Sequence, residues 1–361
     1  MHQLPVFSEL VRLPVVREAL LYEKQRGSKV KCGLCEWRCI IQPNNRGICK
    51  TRVNLDGTLF TLVYGDLSAL ESRPIEIKPF FHYWPGSSAL TFSTWSCNFN
   101  CAWCQNHHLS KIEPNPSKSS HYFDPEKIVS LALHQHDSGL CASFQEPTML
   151  TEWALPVFNL GSQRGLYSCY VSNGYMTQEA MKLLRGAGMT GLKIDVKGDK
   201  EVYQKYCGGA DVEKVWHKAH EAKKMGLHVE IVNLVVTDVN DDEETLRWII
   251  KKHLKNVGVD TPLHFTRYSP AYEFTNPKTR VETLEKAYNM AKKEGVNYPY
   301  IGNVQGHKYE NTYCPRCSDQ LIRRFDCTIT QYKITEDKKC PKCGQLIPIT
   351  GQRIKRWQPL A

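Results

Sequence analysis

Three cysteines at x3 and x2 spacing lie in the stretch Trp95-Ser96-Cys97-Asn98-Phe99-Asn100-Cys101-Ala102-Trp103-Cys104-Gln105-Asn106, directly after a short apolar run. Four thiolates close a structural zinc site or an iron–sulfur cluster, whereas three can hold a [4Fe-4S] cube and leave one iron open to another ligand. A zinc ion that takes His107 or His108 as its fourth ligand is the alternative. The spacing favours the cube with an open iron.

Length and cysteine content narrow the class of protein. A chain of 361 residues with 41% hydrophobic residues can bury a full core and carry one large domain with small appendages. Residues 1–28 mix short apolar runs with charged side chains, which predicts neither a signal peptide nor a membrane span, and hence a cytoplasmic protein. Fifteen cysteines in that compartment indicate metal ligands rather than disulfides.

The formal net charge of +10 would suggest a nucleic-acid partner if the cysteines were neutral. Metal-bound thiolates would lower the true charge to roughly +5. Most cationic residues are scattered, and the one short run is Arg353-Ile354-Lys355-Arg356. This run favours a solvated chain end over an RNA contact, so RNA is only a secondary candidate partner.

From residue 89 to 305, short β-rich runs alternate with amphipathic segments of helix length. This order predicts an α/β fold in which parallel strands are joined by crossover helices. Six βα units predict a partial (β/α)6 TIM-like barrel, because a closed barrel of eight units needs more chain. The predicted strands are 89–92, 139–144, 166–171, 191–197, 228–236 and 263–268, and the predicted helices are 124–136, 177–185, 212–225, 243–253 and 280–294.

Polar side chains are expected where these strands end, because such barrels place their chemistry at the carboxyl ends of the strands. Asp195 and Lys197 are two residues apart on the fourth strand and therefore share a face. An internal ion pair without a chemical role is the alternative for this pair. The other polar residues at strand ends are Glu146, Asn173, His264 and Arg267.

Two further cysteine sets flank the predicted barrel and divide the chain into segments 1–88, 89–305 and 306–361. At the C-terminal side, two Cys-x2-Cys pairs separated by 22 residues have the spacing of a zinc ribbon, with a structural zinc favoured over a role in partner binding. These are Cys314, Cys317, Cys340 and Cys343.

The N-terminal cysteine set comprises Cys32, Cys35, Cys39 and Cys49 and follows a predicted N-terminal helix. Zinc is the first choice of metal for this set. A second iron–sulfur cluster that relays electrons is the rival, because the gaps of two, three and nine residues also suit such a cluster.

The loop Cys97-x3-Cys101-x2-Cys104-Gln-Asn, with Asn173-Gly174 and Asp195-x-Lys197, resembles the motifs of radical S-adenosylmethionine (SAM) enzymes related to the pyruvate formate-lyase activating enzymes. The chain is more closely similar to the AmmeMemoRadiSam-type enzymes, whose genes accompany those of Memo-like and AMMECR-like proteins. That similarity rests on Cys32-x2-Cys35-x3-Cys39, Arg46-Gly47-Ile48-Cys49, Tyr64-Gly65, Pro85-Gly86-Ser87, Gly302-Asn303-Val304 and Cys314-Pro315-x-Cys317.

The resemblance implies a [4Fe-4S] cluster on Cys97, Cys101 and Cys104, whose open iron chelates the amino and carboxylate groups of SAM. Glu146 matches a Gly-Gly-Glu-Pro-like motif that contacts the methionyl amine, but Phe144 and Gln145 replace its glycines.

Further cofactor-binding residues follow from the same resemblance. Asn173 would contact the SAM ribose, and Asp195 and Lys197 would be catalytic residues near SAM and the target. Many relatives carry a histidine where this chain has Ser269, a loss for which His264 and Arg267 could compensate. Phe99 and Trp103 would shield the cluster.

Three functions compete for this sequence. The leading hypothesis is a radical SAM enzyme that forms a 5′-deoxyadenosyl radical and abstracts hydrogen from an unidentified substrate, with a protein and an RNA among the candidates. A ferredoxin- or flavodoxin-type donor would supply the electrons. The second is an activase that installs a glycyl radical on a partner enzyme. The third is a zinc-ribbon protein that binds nucleic acid and uses the barrel only as scaffold.

Overall fold

The computed structural model describes residues 7–119 and 121–355. Arg356 of the predicted basic run, and both outer ends of the predicted terminal segments, lie outside these residues. The chain divides into two compact units, one made of Met1–Ser72 and Leu90–Thr190 and the other of Arg73–Ala89 and Gly191–Ala361. These boundaries differ from the three sequence segments, whose division stays a prediction.

The first part of the chain folds into short elements. Strands β1, β6 and β5 form one antiparallel sheet, and β2, β3 and β4 form another. The elements are α1 (Phe7–Leu10), β1 (Arg17–Glu18), β2 (Tyr22–Lys24), β3 (Val30–Cys32), β4 (Ile40–Ile41), β5 (Arg52–Leu55), β6 (Thr58–Thr61) and β7 (Ala69–Pro74).

The first unit then continues with alternating strands and helices. Strands β9 and β10 pair in parallel, with Cys141 opposite Cys169. The elements are β8 (Ser88–Ser93), α2 (His107–Ser110), α3 (Pro125–His134), β9 (Gly139–Ala142), α4 (Thr151–Gln163), β10 (Tyr167–Ser172) and α5 (Gln178–Gly186).

The second unit repeats the same alternation. Strands β11, β12, β13 and β14 pair in parallel in that order. The elements are β11 (Met189–Val196), α6 (Lys200–Tyr206), α7 (Val212–Lys224), β12 (His228–Val235), α8 (Glu243–Val257), β13 (Leu263–Arg267), α9 (Val281–Lys293) and β14 (Pro299–Gly302).

Strands β7 to β14 belong to one mostly parallel sheet of eight strands whose order follows the sequence. The predicted α/β class is therefore confirmed, and all six predicted strands form. Strands β7 and β14, at the two ends of this order, were not predicted from the sequence.

All five predicted helices form, and all of them except α9 begin at a capping side chain. Asp124, Thr177 and Asp242 each accept a backbone N–H from the first turn of α3, α5 and α8. Helix α4, which has Pro156 inside it and buries seven of its residues, was not predicted. A helix that is largely buried and interrupted by proline lacks the amphipathic pattern used to recognise the others.

A small antiparallel sheet follows β14. It consists of β15 (Thr312–Tyr313), β16 (Gln320–Phe325) and β17 (Thr328–Tyr332), in that order. Its core contains Leu321, Ile322 and Ile347 together with Cys314 and Cys340. Within the described residues, no helix has the length and apolar character needed to cross a bilayer.

Candidate metal centres and active site

The three-cysteine loop follows β8 and ends at α2. Ser96 takes a positive φ of 66°, and its backbone N–H donates to the Leu109 carbonyl at 3.0 Å. These features turn the chain back on itself, so the three thiols are only partly exposed. Phe99 and Trp103, which lie between the cysteines in the sequence, are buried, and their shielding of a cluster stays a prediction.

The thiols of this loop have partners close by. The Cys97 sulfur accepts the Phe99 backbone N–H at 3.3 Å, and the Cys104 sulfur lies 3.1 Å from the Ser110 hydroxyl. Burial, with the nearby Glu146 carboxylate, raises the pKa of Cys97 well above its usual range. A bound cation would reverse this shift, because a metal favours the thiolate.

Glu146 follows β9 and is almost fully buried. Its carboxylate accepts hydrogen bonds from the Asn173 backbone N–H at 2.7 Å, the Ser172 hydroxyl at 2.8 Å, and the Thr148 backbone N–H and hydroxyl. Burial raises the pKa of Glu146, and these hydrogen bonds oppose the rise. The carboxylate thus ties the ends of β9 and β10 together.

The two residues before Glu146 replace the glycines of the motif that the sequence resembles. Phe144 has φ = 71°, the left-handed conformation that glycine adopts most easily. Gln145 is only 7% exposed, and neither its amide oxygen nor its amide nitrogen has a hydrogen-bond partner among the described residues. Gln145 was not among the predicted site residues; its place beside Glu146 at a strand end was the available signal.

Both polar atoms of the Asn173 side-chain amide form hydrogen bonds. Its Nδ2 donates to Asn98 Oδ1 at 2.7 Å, and its Oδ1 accepts the Tyr175 N–H at 3.0 Å. Asn98 adjoins Cys97 and also accepts the Trp37 indole N–H on its carbonyl at 2.8 Å. Asn98 therefore connects the cysteine loop to the end of β10, a role that only the tertiary structure reveals.

The C-terminal cysteines meet in a tetrathiol cluster. Cys314 lies 3.5 Å from Cys343 and Cys317 lies 3.6 Å from Cys340, measured between sulfurs. All four sulfurs lie within 4.8 Å of one another, and no other group of three or more Cys, His, Asp or Glu ligands in the described residues does so. This set can therefore hold one metal ion.

The cysteine loop is less compact than the C-terminal cluster. Its three sulfurs, taken with His107 or His108, do not form such a close group in the described part of the chain. His107 instead directs Nδ1 toward the Cys104 carbonyl at 3.3 Å. A single zinc in this loop stays the alternative, and wider spacing suits thiols that bind separate irons of a cube.

In the second unit, Asp195 lies on β11 between two lysines. Its carboxylate lies 2.6 Å from Lys193 Nζ and 3.5 Å from Lys197 Nζ. Burial acts to raise the pKa of Asp195, but the two ammonium groups outweigh it and lower the pKa. Asp195 is therefore ionised, and Lys193 is a partner that was not predicted from the sequence.

His264 and Arg267 of β13 are engaged within the second unit. His264 Nε2 lies 2.7 Å from the fully buried Glu230 carboxylate, and Arg267 Nε donates to the Thr279 carbonyl at 2.7 Å. Glu230 also accepts the backbone N–H groups of Phe81 and His82. The predicted contacts of His264 and Arg267 with SAM stay predictions.

The model of the Radical SAM superfamily matches residues 93–249, a range that contains the cysteine loop, Glu146 and Asn173. The chain is also 38% identical over 337 residues to uncharacterized protein MJ0808 of Methanocaldococcus jannaschii, covering 92% of this chain and 99% of that protein. This chain belongs to the radical SAM superfamily.

More distant similarities accompany this membership. A probable GTP 3′,8-cyclase of Archaeoglobus fulgidus is 23% identical to this chain over 273 residues. The aligned residues cover 72% of this chain and 87% of the cyclase. A domain of the pyruvate-formate lyase-activating enzyme from Bacteroides vulgatus aligns with a TM-score of 0.40 and 16% identity, over 46% of this chain and 99% of that domain.

Radical SAM membership implies a [4Fe-4S] cluster and SAM, and the residues present fit both groups. The loop supplies three partly exposed thiols, and three thiols are the donor set that a cube with one open iron needs. The buried and unpartnered amide of Gln145 is a polar group that a bound polar ligand would satisfy.

Proposed function

We propose that this protein cleaves SAM reductively at a cluster held by Cys97, Cys101 and Cys104, and then abstracts a hydrogen atom from a substrate for which a protein and an RNA are candidates. When bound, the cluster and SAM together supply a 5′-deoxyadenosyl radical strong enough to attack an unactivated carbon. The observation that carries the proposal is the loop of three widely spaced thiols within the matched family segment.

The chain's own residues would bind and orient SAM in this proposal. Phe144 takes the left-handed conformation that glycine adopts most easily, and its neighbour Gln145 offers both a donor and an acceptor to the methionyl group. Glu146 holds this turn against β10 through the Asn173 N–H. We therefore assign to Glu146 the role of positioning the backbone that binds SAM.

Asp195 and Lys197 are assigned to the region near SAM and the target. The Asp195 side chain is 29% exposed and stays ionised between its two lysines, so it can accept a hydrogen bond from a hydroxyl or amine. Phe99 and Trp103 exclude water from the cluster, which protects a reactive intermediate.

We assign the chain to the AmmeMemoRadiSam type, with Memo-like and AMMECR-like proteins as candidate partners and a ferredoxin- or flavodoxin-type electron donor. The motifs from Cys32 to Cys49 and around Cys314 support this subtype. The C-terminal tetrathiol cluster is assigned to structural zinc. The cysteine-rich composition supports a reducing, cytoplasmic location.

The test is anaerobic incubation of reconstituted protein with dithionite, SAM and candidate substrates, measuring 5′-deoxyadenosine. Cys101→Ala should abolish 5′-deoxyadenosine formation and leave the metal of the C-terminal cluster in place. Cys327→Ala, a cysteine outside all three metal-ligand sets, is the matched control and should retain the wild-type yield. An unchanged yield in Cys101→Ala would overturn the proposal.

The same incubation distinguishes the activase alternative from the AmmeMemoRadiSam type. A glycyl-radical enzyme that alone raises 5′-deoxyadenosine, with appearance of a glycyl radical signal, would favour that function. Stimulation by a Memo-like or AMMECR-like protein would favour the AmmeMemoRadiSam type.

A further inference from the structure

The N-terminal cysteine set comes together in the first unit. Cys32 ends β3, Cys39 directly precedes β4, and Cys35 and Cys49 lie in the loops that follow these strands. The four residues line one small cavity of about 10 Å³, together with Trp37 and Arg52 among others. The four thiols therefore face a single shared space.

Arg52 shows what kind of group this space suits. Its side chain is 1% exposed, and Nη2 donates to the Glu152 carboxylate at 2.6 Å. Its Nε and Nη1 have no hydrogen-bond partner among the described residues. Leaving such donors buried and unpaired is costly, so an anionic occupant that accepts from them is favoured.

The positive charge of Arg52 does not distinguish a zinc ion from a [4Fe-4S] cluster. A zinc ion with four thiolates and a [4Fe-4S]2+ cluster with four thiolates each carry a net charge of about −2. Arg52 therefore indicates that the pocket holds an anionic metal centre, and the distances between sulfurs must decide which one.

The distance between cysteine sulfurs distinguishes a site for a single ion from a site for a cluster. A tetrahedral zinc with Zn–S bonds of about 2.3 Å holds its sulfurs about 3.8 Å apart. The C-terminal cluster has this spacing, at 3.5 Å for Cys314–Cys343 and 3.6 Å for Cys317–Cys340. The N-terminal set, all of which is described, contains no three sulfurs within 4.8 Å of one another.

The cysteine loop provides an internal reference for the wider spacing. Cys97, Cys101 and Cys104, the proposed ligands of the first cube, also fall outside the compact spacing. Thiols that bind different irons of one cube must stand farther apart than thiols that share one ion. The N-terminal set therefore groups with the cube ligands and not with the C-terminal cluster.

We propose that the N-terminal cysteine set holds a second [4Fe-4S] cluster, whose sulfurs accept hydrogen bonds from the unpartnered Nε and Nη1 of Arg52. Four cysteine ligands leave no open iron, so this cluster would not bind SAM. Its chemistry is one-electron transfer.

The surroundings place this cluster next to the cysteine loop within the same unit. The Ser96 hydroxyl, one residue before Cys97, donates to the Cys49 carbonyl at 2.8 Å. The Trp37 indole, which lines the pocket, donates to the Asn98 carbonyl at 2.8 Å. Two hydrogen bonds thus join the N-terminal set to the residues on either side of Cys97.

This adjacency suits an electron relay, an assignment that rests on the proposed function. A reduced ferredoxin- or flavodoxin-type donor would give one electron to the second cluster, taking it from the 2+ to the 1+ state. The electron would then pass to the first cluster, which returns the second cluster to the 2+ state and reduces the first to the 1+ state. No atom is transferred in either step.

The test uses full-length protein in which Cys97, Cys101 and Cys104 are all replaced by alanine, so that the N-terminal set is untouched. After anaerobic reconstitution it should retain about four irons and one zinc per chain. Dithionite should produce an electron paramagnetic resonance signal of a reduced cluster that added SAM does not change. The control Cys327→Ala should match the wild type, with about eight irons and one zinc.

Several results would overturn the second cluster. They are a triple variant with almost no iron and two zincs, a variant with about two irons as expected of a [2Fe-2S] cluster, and wild-type protein with about four irons. If the triple variant does not fold, the wild type decides: SAM should alter only part of its cluster signal. Because these measurements need no turnover, they separate failure of this proposal from failure of SAM cleavage.

Discussion

Phe144 and Gln145 occupy positions where the resembled motif has two glycines. Phe144 takes φ = 71°, a conformation that costs an ordinary residue about 1–2 kcal/mol. Asn106 Nδ2 donates to the Phe144 carbonyl and helps to hold it there. Strain of this kind persists where the surrounding structure enforces it, which is common at ligand-binding sites.

Gln145 gives a prediction at the residue scale. Gln145→Leu removes a buried amide whose two polar atoms lack partners among the described residues, so the protein without SAM should keep its stability or gain about 1 kcal/mol. Affinity for SAM should fall about tenfold, because the ligand loses hydrogen bonds. Thermal melts and equilibrium dialysis of the anaerobically reconstituted protein measure the two effects. A variant that is destabilised and binds SAM normally would show that Gln145 is only structural.

His264 illustrates how a residue's surroundings change its interpretation. In the sequence it is a polar residue on a strand, and in the structure its Nε2 faces the carboxylate of Glu230. Burial acts to raise the pKa of Glu230, but the hydrogen bonds from His228 and His264 outweigh it and lower the pKa. The carboxylate stays ionised in a fully buried network.

At the scale of elements, the alternation of strands and helices was readable because each element has a local signal. Asp and Thr caps precede several helices, and strands such as β12 are rich in β-branched residues. Helix α4 lacks such a signal, because its burial depends on packing against the strands beside it.

Helix α4 gives a prediction through Gly161. A Cβ at this position would lie 2.5 Å from Leu140 Cδ1, so Gly161→Ala should destabilise the protein by about 1–3 kcal/mol despite the better helix propensity of alanine. Urea unfolding followed by circular dichroism measures this.

Gly186, the last residue of α5, is the matched control for that substitution. An added Cβ meets no atom within 4 Å there, so Gly186→Ala should leave stability unchanged or slightly raised. Equal losses in both variants would contradict the packing argument.

At the scale of the whole molecule, buried histidines make stability depend on pH. Burial lowers the pKa of His253 to about 3, and its Nε2–H donates to the Thr261 carbonyl at 3.0 Å. Unfolded His253 takes up a proton near pH 6.5, whereas the folded protein keeps it neutral. The free energy of unfolding therefore falls as the pH drops from about 6.5 toward 3.

His253→Gln tests this dependence, because glutamine can donate to Thr261 without binding a proton. Between pH 7 and pH 5 the variant should lose about 2 kcal/mol less stability than the wild type. The exposed His217 is the control, and His217→Gln should follow the wild-type curve. Urea unfolding at both pH values measures the free energy of unfolding. An equal loss of stability between pH 7 and pH 5 in His253→Gln and the wild type would show that another group causes the loss of stability in acid.

The sequence by itself determined the parallel α/β class and the three cysteine sets, because both depend on spacing between near neighbours in the chain. Only the tertiary structure showed that Arg52 pairs with Glu152, one hundred residues away, and that Lys193 joins Asp195. It also showed which thiols lie close enough for one ion. Burial and distances between sulfurs depend on which elements pack together, and no local pattern encodes that.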